Sequence, residues 1–277
     1  MKTSYLTIGL FLLAGVATGC DNIDNDERYI KVEKPVIDNP RTLLIMEFTG
    51  NNCINCPRGA EVINQIKEDE AQERVISVGL HPFGDINTTP LPSVNGIQDF
   101  RTQAATALYE YYQPGGFPTA IFNGLKSSMS GTMTDWQQRA SEALKIPSVL
   151  NLAATCEYDK DSRNLTVDYS VEFLDYVNTK LNVTAWLVEN HIMGTQKMPN
   201  GSTNRNYEHN HVLRASLNGD WGQELGSAFL EGDVKEGTAS MTLEEGWAAE
   251  NCDVVVYVYR DDNKEVEQSI SVKVENN

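Results

Sequence analysis

Two cysteines three positions apart, Cys53-Ile54-Asn55-Cys56, followed by Pro57, are the residues best placed to do chemistry in this 277-residue chain. Thiols at this spacing close a disulfide across one helical turn or supply half of a zinc site. Thr42 to Phe48 is a mostly apolar run of strand length. Pro57 suits the first turn of a helix that carries Ala60, Ile63 and Ile66 at helical spacing. A cysteine pair between a buried strand and a helix start meets orphan backbone N–H groups and the positive end of the helix dipole. Both stabilise a thiolate and lower its pKa below the free value of about 8.5. Cys53 is then the exposed attacking thiol and Cys56, one turn on and shielded, the resolving one. No second C-x-x-C exists and the nearest histidine, His81, is 25 residues past Cys56, which weighs against zinc. A structural disulfide retained on a fold used for binding is the alternative.

The other reactive side chains are fewer. His81-Pro82 ends a second strand, where a loop histidine is the plainer reading and proton transfer the bolder one. His209 and His211 form an H-x-H that, on a strand, puts both imidazoles on one face. No third ligand is evident, so no metal is expected and these read as polar groups hydrogen-bonding at a strand end or loop. Cys156 and Cys252 share the parity of the apolar residues on their strands (Leu152 and Ala154; Val254 and Val256). Both therefore face one core and read as a structural disulfide, with two buried free thiols as the alternative. The sequons at Asn164 and Asn182 are read as chance.

The elements that position these residues change character along the chain. The opening is strand, helix, strand, with Val75 to Leu80 as the second strand, a βαβ unit that favours parallel pairing. A Pro-rich loop (Pro82, Pro90, Pro92) leads to a helix through Ile97, Phe100, Ala104, Leu108 and Tyr111. Thr119 to Asn123 reads as a strand, and a further helix opens at Thr134 with Gln137 as its capping-box partner. From residue 148 the period becomes two: Leu150 to Tyr158, Leu165 to Phe173, Leu181 to Leu187, Val254 to Val258 and Ile270 to Val274 alternate apolar with polar. Strands without intervening helices imply an antiparallel β-sandwich of immunoglobulin-like kind. The expected fold class is α/β followed by all-β.

The amino terminus sets the compartment. Met1-Lys2 precedes a nearly apolar Tyr5–Ala17 stretch, too short to span a bilayer and suited to a secretory signal. Ala17-Thr18-Gly19-Cys20 resembles a bacterial lipobox, in which Cys20 is lipidated after removal of residues 1–19. Residues 20–39 read as an acidic tether, with Asp21, Asp24, Asp26 and Glu27 beside the lipid. Export implies an oxidising environment. The excess of 39 Asp and Glu over 22 Lys and Arg excludes a general nucleic-acid binder.

Beyond the C-x-x-C, Gly115-Gly116-Phe117-Pro118-Thr119 lies just before a strand, and residues 40–147 resemble a thioredoxin-like domain with a helical insertion around 83–112. The resemblance implies that Pro118 follows a cis peptide bond and packs beside the disulfide. It also places Glu47 where such proteins carry a buried acid that accepts the resolving cysteine's proton. Asn52 in place of a tryptophan, and Ile-Asn between the cysteines, leave oxidant, reductant and isomerase open. With the lipobox, residues 148–277 as a β-sandwich, and Tyr207–Ala215 followed by Gly219-Asp220-Trp221-Gly222, the whole chain resembles the outer-membrane-protein-28-related lipoproteins. That implies an outer-membrane lipoprotein, lipid-anchored and facing the periplasm or the surface. The expected activity is thiol–disulfide exchange with a protein disulfide or dithiol through Cys53, Cys56, Pro118 and Glu47, without a cofactor. A non-catalytic binding or adhesion lipoprotein is the alternative.

Overall fold

The computed structural model describes residues 39–70, 74–94 and 96–275. The expected signal sequence, the lipidation site Cys20 and the tether up to residue 38 lie outside the described residues. The first part runs β1 (Leu43–Phe48), α1 (Cys56–Asp69), β2 (Val75–Leu80), β3 (Leu91–Ser93), β4 (Gly96–Gln98), α2 (Gln103–Tyr112), β5 (Thr119–Phe122) and α3 (Trp136–Ala143). Strands then follow without a further α-helix: β6 (Leu150–Asp159), β7 (Asn164–Phe173), β8 (Leu181–Glu189), β9 (Ile192–Lys197) and β10 (Thr203–His209). The last five are β11 (Val212–Ser216), β12 (Gln223–Gly226), β13 (Val234–Thr242), β14 (Cys252–Arg260) and β15 (Val266–Lys273). The chain is thus a mixed α/β protein, largely β, with few helices.

Side-chain parity along β1 explains the first two cores. Leu43 and Ile45 point to one face, where Ile63 and Ile66 of α1 and Trp136 and Ala140 of α3 cover them. Leu44, Met46 and Phe48 point to the other, against Ala105, Leu108 and Tyr112 of α2. β1 pairs parallel with β2, as the βαβ spacing requires, and antiparallel with β5. A strand buried on both faces reads as a continuous apolar run, which is how Leu43–Met46 stands in the sequence.

The sheet does not stop at residue 147. It continues from β2 to β11, then to β8, β14 and β15, and the described residues pack as one compact unit. β8 and β14 are consequently buried on both faces. Val183, Ala185, Leu187, Val254, Val256 and Val258 meet Leu165, Val167, Val171 and Phe173 of the separate β13-β7-β6 sheet. Trp186, Val188, Val255 and Tyr257 join the core under α2. The expected boundary therefore marks a change of element type, across which the packing runs. Arg41, just before β1, is buried and bonds Glu267 of β15 at 2.8 Å; Glu267 also pairs with Arg260.

Three sequence expectations are corrected. Cys156 and Cys252 are both free: parity turns each toward the same core, but Cys156 lies opposite Val167 in the β13-β7-β6 sheet and Cys252 opposite Glu189 in the large one. Parity fixes a facing direction and leaves the separation across two layers undetermined. The Pro-rich stretch forms the β3–β4 hairpin, so α2 begins only at Gln103, capped by Thr102, whose Oγ1 accepts from the Ala105 N–H at 3.1 Å. Thr134 caps nothing; it lies in a 3₁₀ turn, and α3 starts at Trp136, which is anchored by its Nε1–H to the Ser130 carbonyl at 3.0 Å.

Candidate active site

Cys53 and Cys56 form a disulfide at the start of α1, with Cα atoms 5.5 Å apart. Asn55 stands at the N-cap position but makes no side-chain cap. The Cys56 N–H donates instead to Cys53 Sγ at 3.2 Å, so the sulfur of the first cysteine takes an orphan donor of the helix. A thiolate at Cys53 would be held by that donor and by the helix dipole.

Pro118 and Glu47 converge below the disulfide. The Phe117–Pro118 peptide is cis. A side chain at Gly59, one turn after Cys56, would strike the Glu47 carboxyl and lie 3.1 Å from Cβ and Cγ of Pro118. Glycine at this position lets both approach the helix. Glu47 is buried, its Oε1 has no hydrogen-bond partner in the protein, and burial pushes its pKa up to about 8. At neutral pH it is largely a carboxylic acid. A buried, unpaired, raised-pKa carboxyl beside a reactive group marks functional sites more often than structural ones.

Cys53 is only 2% exposed and Cys56 3%, which corrects the expectation of an open attacking thiol. The cover comes from the β9–β10 hairpin. Gln196 donates from Nε2 to the Cys53 carbonyl at 2.9 Å and to the Gly50 carbonyl at 3.2 Å, and the Lys197 N–H reaches the Asn51 carbonyl at 2.9 Å. The β3–β4 hairpin braces this cover: Gln98 Oε1 accepts from the Thr195 N–H at 2.9 Å, and Thr195 Oγ1 donates to the Pro92 carbonyl at 2.6 Å. From the other side, Asn52 is held by the carbonyls of Asn87 and Ile86. Ile54, between the cysteines, remains 49% exposed.

Sequence reasoning does not reach Gln196, Thr195 and Gln98. Their role depends on a loop contact 143 residues away in the chain for Gln196, for which local pattern carries no signal. The histidines stand out in the sequence, and they lie where they read as polar groups, at a strand end and in the turn after it. His209 ends β10 and His211 follows in a turn at φ 58°, so the two diverge. His211 Nε2 lies 3.0 Å from Lys67 Nζ on α1, while His209 packs edge-on to Phe100, which in turn meets His81. Burial holds all three imidazoles far below the usual histidine range, to about 4 for His209 and about 3 for His81 and His211. Among the described residues, no group of three or more His, Cys, Asp or Glu is arranged to hold a metal ion.

With this geometry in place, comparison with known proteins fixes the family. The family model described as outer membrane protein Omp28 matches residues 105–277. The chain belongs to the Omp28 family. Membership places it at the outer membrane, as the sequence leads one to expect, and no helix among the described residues is long and apolar enough to cross a membrane. The Omp28 match includes Pro118, Gln196 and His209 and begins after Cys53, Cys56 and Glu47, so membership by itself is silent on the disulfide. No curated protein matches the chain. Among solved structures the chain is similar to HBP35 of Porphyromonas gingivalis, with TM-score 0.67 and 18% identity over 86% of this chain and 76% of that one. A protein of Agrobacterium tumefaciens matches with TM-score 0.53 and 10% identity over 87% and 98%. A domain of the outer membrane lipoprotein Omp28 from Porphyromonas gingivalis gives 0.34 and 26% over 46% and 89%. The HBP35 likeness concerns the fold alone.

Proposed function

We propose that this outer-membrane protein, anchored by lipid on Cys20, carries out thiol–disulfide exchange at Cys53 and Cys56 with a protein dithiol or disulfide in the envelope. Residues 40–147 act as a thioredoxin-like domain and residues 148–277 as a β-sandwich fused to it. The observation that carries this reading is Glu47: an uncompensated buried carboxyl, protonated at neutral pH, against the first turn of α1. Burying a carboxyl without a partner costs stability, and a purely structural disulfide has no use for one. An acid there protonates Cys56 when it leaves as a thiolate. The partner approaches over Ile54, and the β9–β10 hairpin must move for it to reach Cys53. No organic cofactor or metal enters this chemistry, and the acidic chain has no use for nucleic acid.

Burial of Cys53 favours a second reading, a binding or adhesion lipoprotein in which the disulfide only braces the loop before α1. The two readings separate on reactivity. Treating the folded protein with dithiothreitol and trapping thiols by alkylation at intervals gives the reduction rate. Exchange predicts reduction of the native Cys53–Cys56 disulfide within minutes. A disulfide reduced only on unfolding supports the structural reading.

A further inference from the structure

Behind Cys56, between α1, β2 and the β10–β11 turn, lies a cavity of about 100 Å³. Cys56, Glu47, His81 and His209 all line it. Three buried polar atoms of these residues have no hydrogen-bond partner in the protein: Glu47 Oε1, His81 Nδ1 and His209 Nε2. Orphaned buried polar atoms are rare and costly one at a time. Three around one polar cavity, with room for several waters, describe a built hydration site. Exposed Asn64 on α1 and exposed Asn210 in the turn also line the cavity, together with Gln196 and Tyr207 of the hairpin that covers Cys53.

We infer that this cavity is a water-filled proton route between Glu47 and solvent, with His209 and His81 as positioning residues that hold its waters. The inference rests on the exchange reading above. When a partner thiolate attacks Cys53 Sγ, an intermolecular S–S bond forms and the Cys53–Cys56 bond breaks, its electron pair leaving on Cys56. Cys56 takes a proton from Glu47, and the Glu47 carboxylate regains one from solvent along the cavity waters. The partner's second thiolate then displaces Cys53 as a thiolate, so the dithiol is oxidised by two electrons and the Cys53–Cys56 pair reduced by two.

Burial raises the pKa of the Glu47 carboxyl to about 8 among the following neighbours. From α1 come Cys56, Glu61 and, beside His211, Lys67; from the end of β2 comes His81; from β10 come Tyr207, Glu208 and His209; the turn adds His211. The imidazoles are held neutral by burial, which suits them to orient water as hydrogen-bonding groups and unsuits them as bases.

The test uses the full chain, dithiothreitol as the reducing probe, and rates expressed per dithiothreitol thiolate across pH 5 to 10. In the wild type the rate is expected to fall above pH 8 as Glu47 loses its proton, and Glu47→Gln to abolish that fall. His209→Leu, which removes the polar wall, is expected to slow reduction by about tenfold, a fraction of what a positioned acid contributes, while His209→Gln, which keeps a polar end in the cavity, restores most of the rate. In the Glu47→Gln background His209→Leu adds no further slowing. Equal rates for His209→Leu and His209→Gln, or additive losses in the double variant, would overturn the route. A wild-type disulfide that resists dithiothreitol altogether overturns the exchange reading and the route with it, whereas normal reduction with unshifted His209 variants overturns the route alone.

Discussion

Gln196 and Cys53 are joined across the chain: the side-chain amide of a β9 residue donates to the backbone carbonyl of the first cysteine at 2.9 Å. The same nitrogen reaches the carbonyls of Gly50 and Lys197, so one side chain stitches the covering hairpin to the loop that presents the disulfide. On the exchange proposal the hairpin stands in the way of a partner, and its hydrogen bonds should set how often Cys53 is reached.

Weakening that stitch should expose the disulfide. Neutral hydrogen bonds contribute about 0.5–1.5 kcal/mol each, so Gln196→Ala is expected to raise the population of the uncovered state by roughly tenfold. Dithiothreitol reduction of the native protein should accelerate in proportion, with the melting temperature lowered by only a few degrees. An unchanged rate with a lowered melting temperature would mean that the hairpin does not control access.

Glu47 makes stability depend on pH with a definite sign. Its folded pKa, about 8, is raised above its unfolded value of 4.5 by burial. Its contribution is therefore intact below pH 4.5 and is lost as pH rises through 8, by as much as about 1.4 kcal/mol per pH unit within that window. Glu47→Gln removes this loss, so urea denaturation should show the variant gaining on the wild type between pH 5 and pH 8. The buried histidines act oppositely. Their pKa values are depressed to about 3–4, so the stability they allow is present above about 6.5 and is lost as pH falls toward 4.

Residues before β1 and at the end of the chain should unfold together. Arg41 and Glu267 are a buried pair, Glu267 being 0% exposed, and Arg260 shares the same carboxylate. Glu267→Ala leaves Arg41 without this partner in the interior, a change that costs about 3–5 kcal/mol for a buried pair broken on one side. A single urea transition at lower midpoint, seen alike by Trp136 and Trp186 fluorescence after replacement of the other tryptophans, is expected. Two separated transitions would show that the halves on either side of residue 147 unfold independently.

Cys156 and Cys252 should behave as sluggish thiols. Burial pushes their pKa values up to about 11 and about 12, so neither is a thiolate at neutral pH. An aromatic disulfide reagent should find both only after denaturation, without any reductant. Peptide mapping that recovers a Cys156–Cys252 disulfide from the native protein would contradict the arrangement.

The parts of the fold legible in the sequence are those with one dominant period. The apolar run of β1 and the Ala60–Ile63–Ile66 spacing of α1 identify the βαβ opening, and alternation along β7 identifies a half-buried strand. β8 and β14 read as half-buried too, because the parity of Val183 and Ala185 or of Val254 and Val256 passes over Trp186, Val188, Val255 and Tyr257. Those neighbours continue the core under α2 across residue 147, while the sheet itself is joined there by β11 pairing with β2. In the site, Cys53 and Cys56 are visible through their spacing, whereas Pro118 and Glu47 come from the resemblance to thioredoxin-like proteins. Gln196 and the cavity face of His209 are visible in neither way, since each acquires its role only when β9 and β10 fold over a loop far away in the chain.

The central claim is that Cys53 and Cys56 exchange disulfides in the folded protein, and its most direct test is the rate of native-state reduction. Incubate the folded, oxidised chain with dithiothreitol at pH 7, quench with an alkylating agent, and count modified Cys53 and Cys56 by peptide mass over time. Both cysteines should be modified within minutes, faster in Gln196→Ala and slower in Glu47→Gln. Modification that appears only at the rate of global unfolding, identical in the three proteins once their stabilities are matched, would contradict the claim.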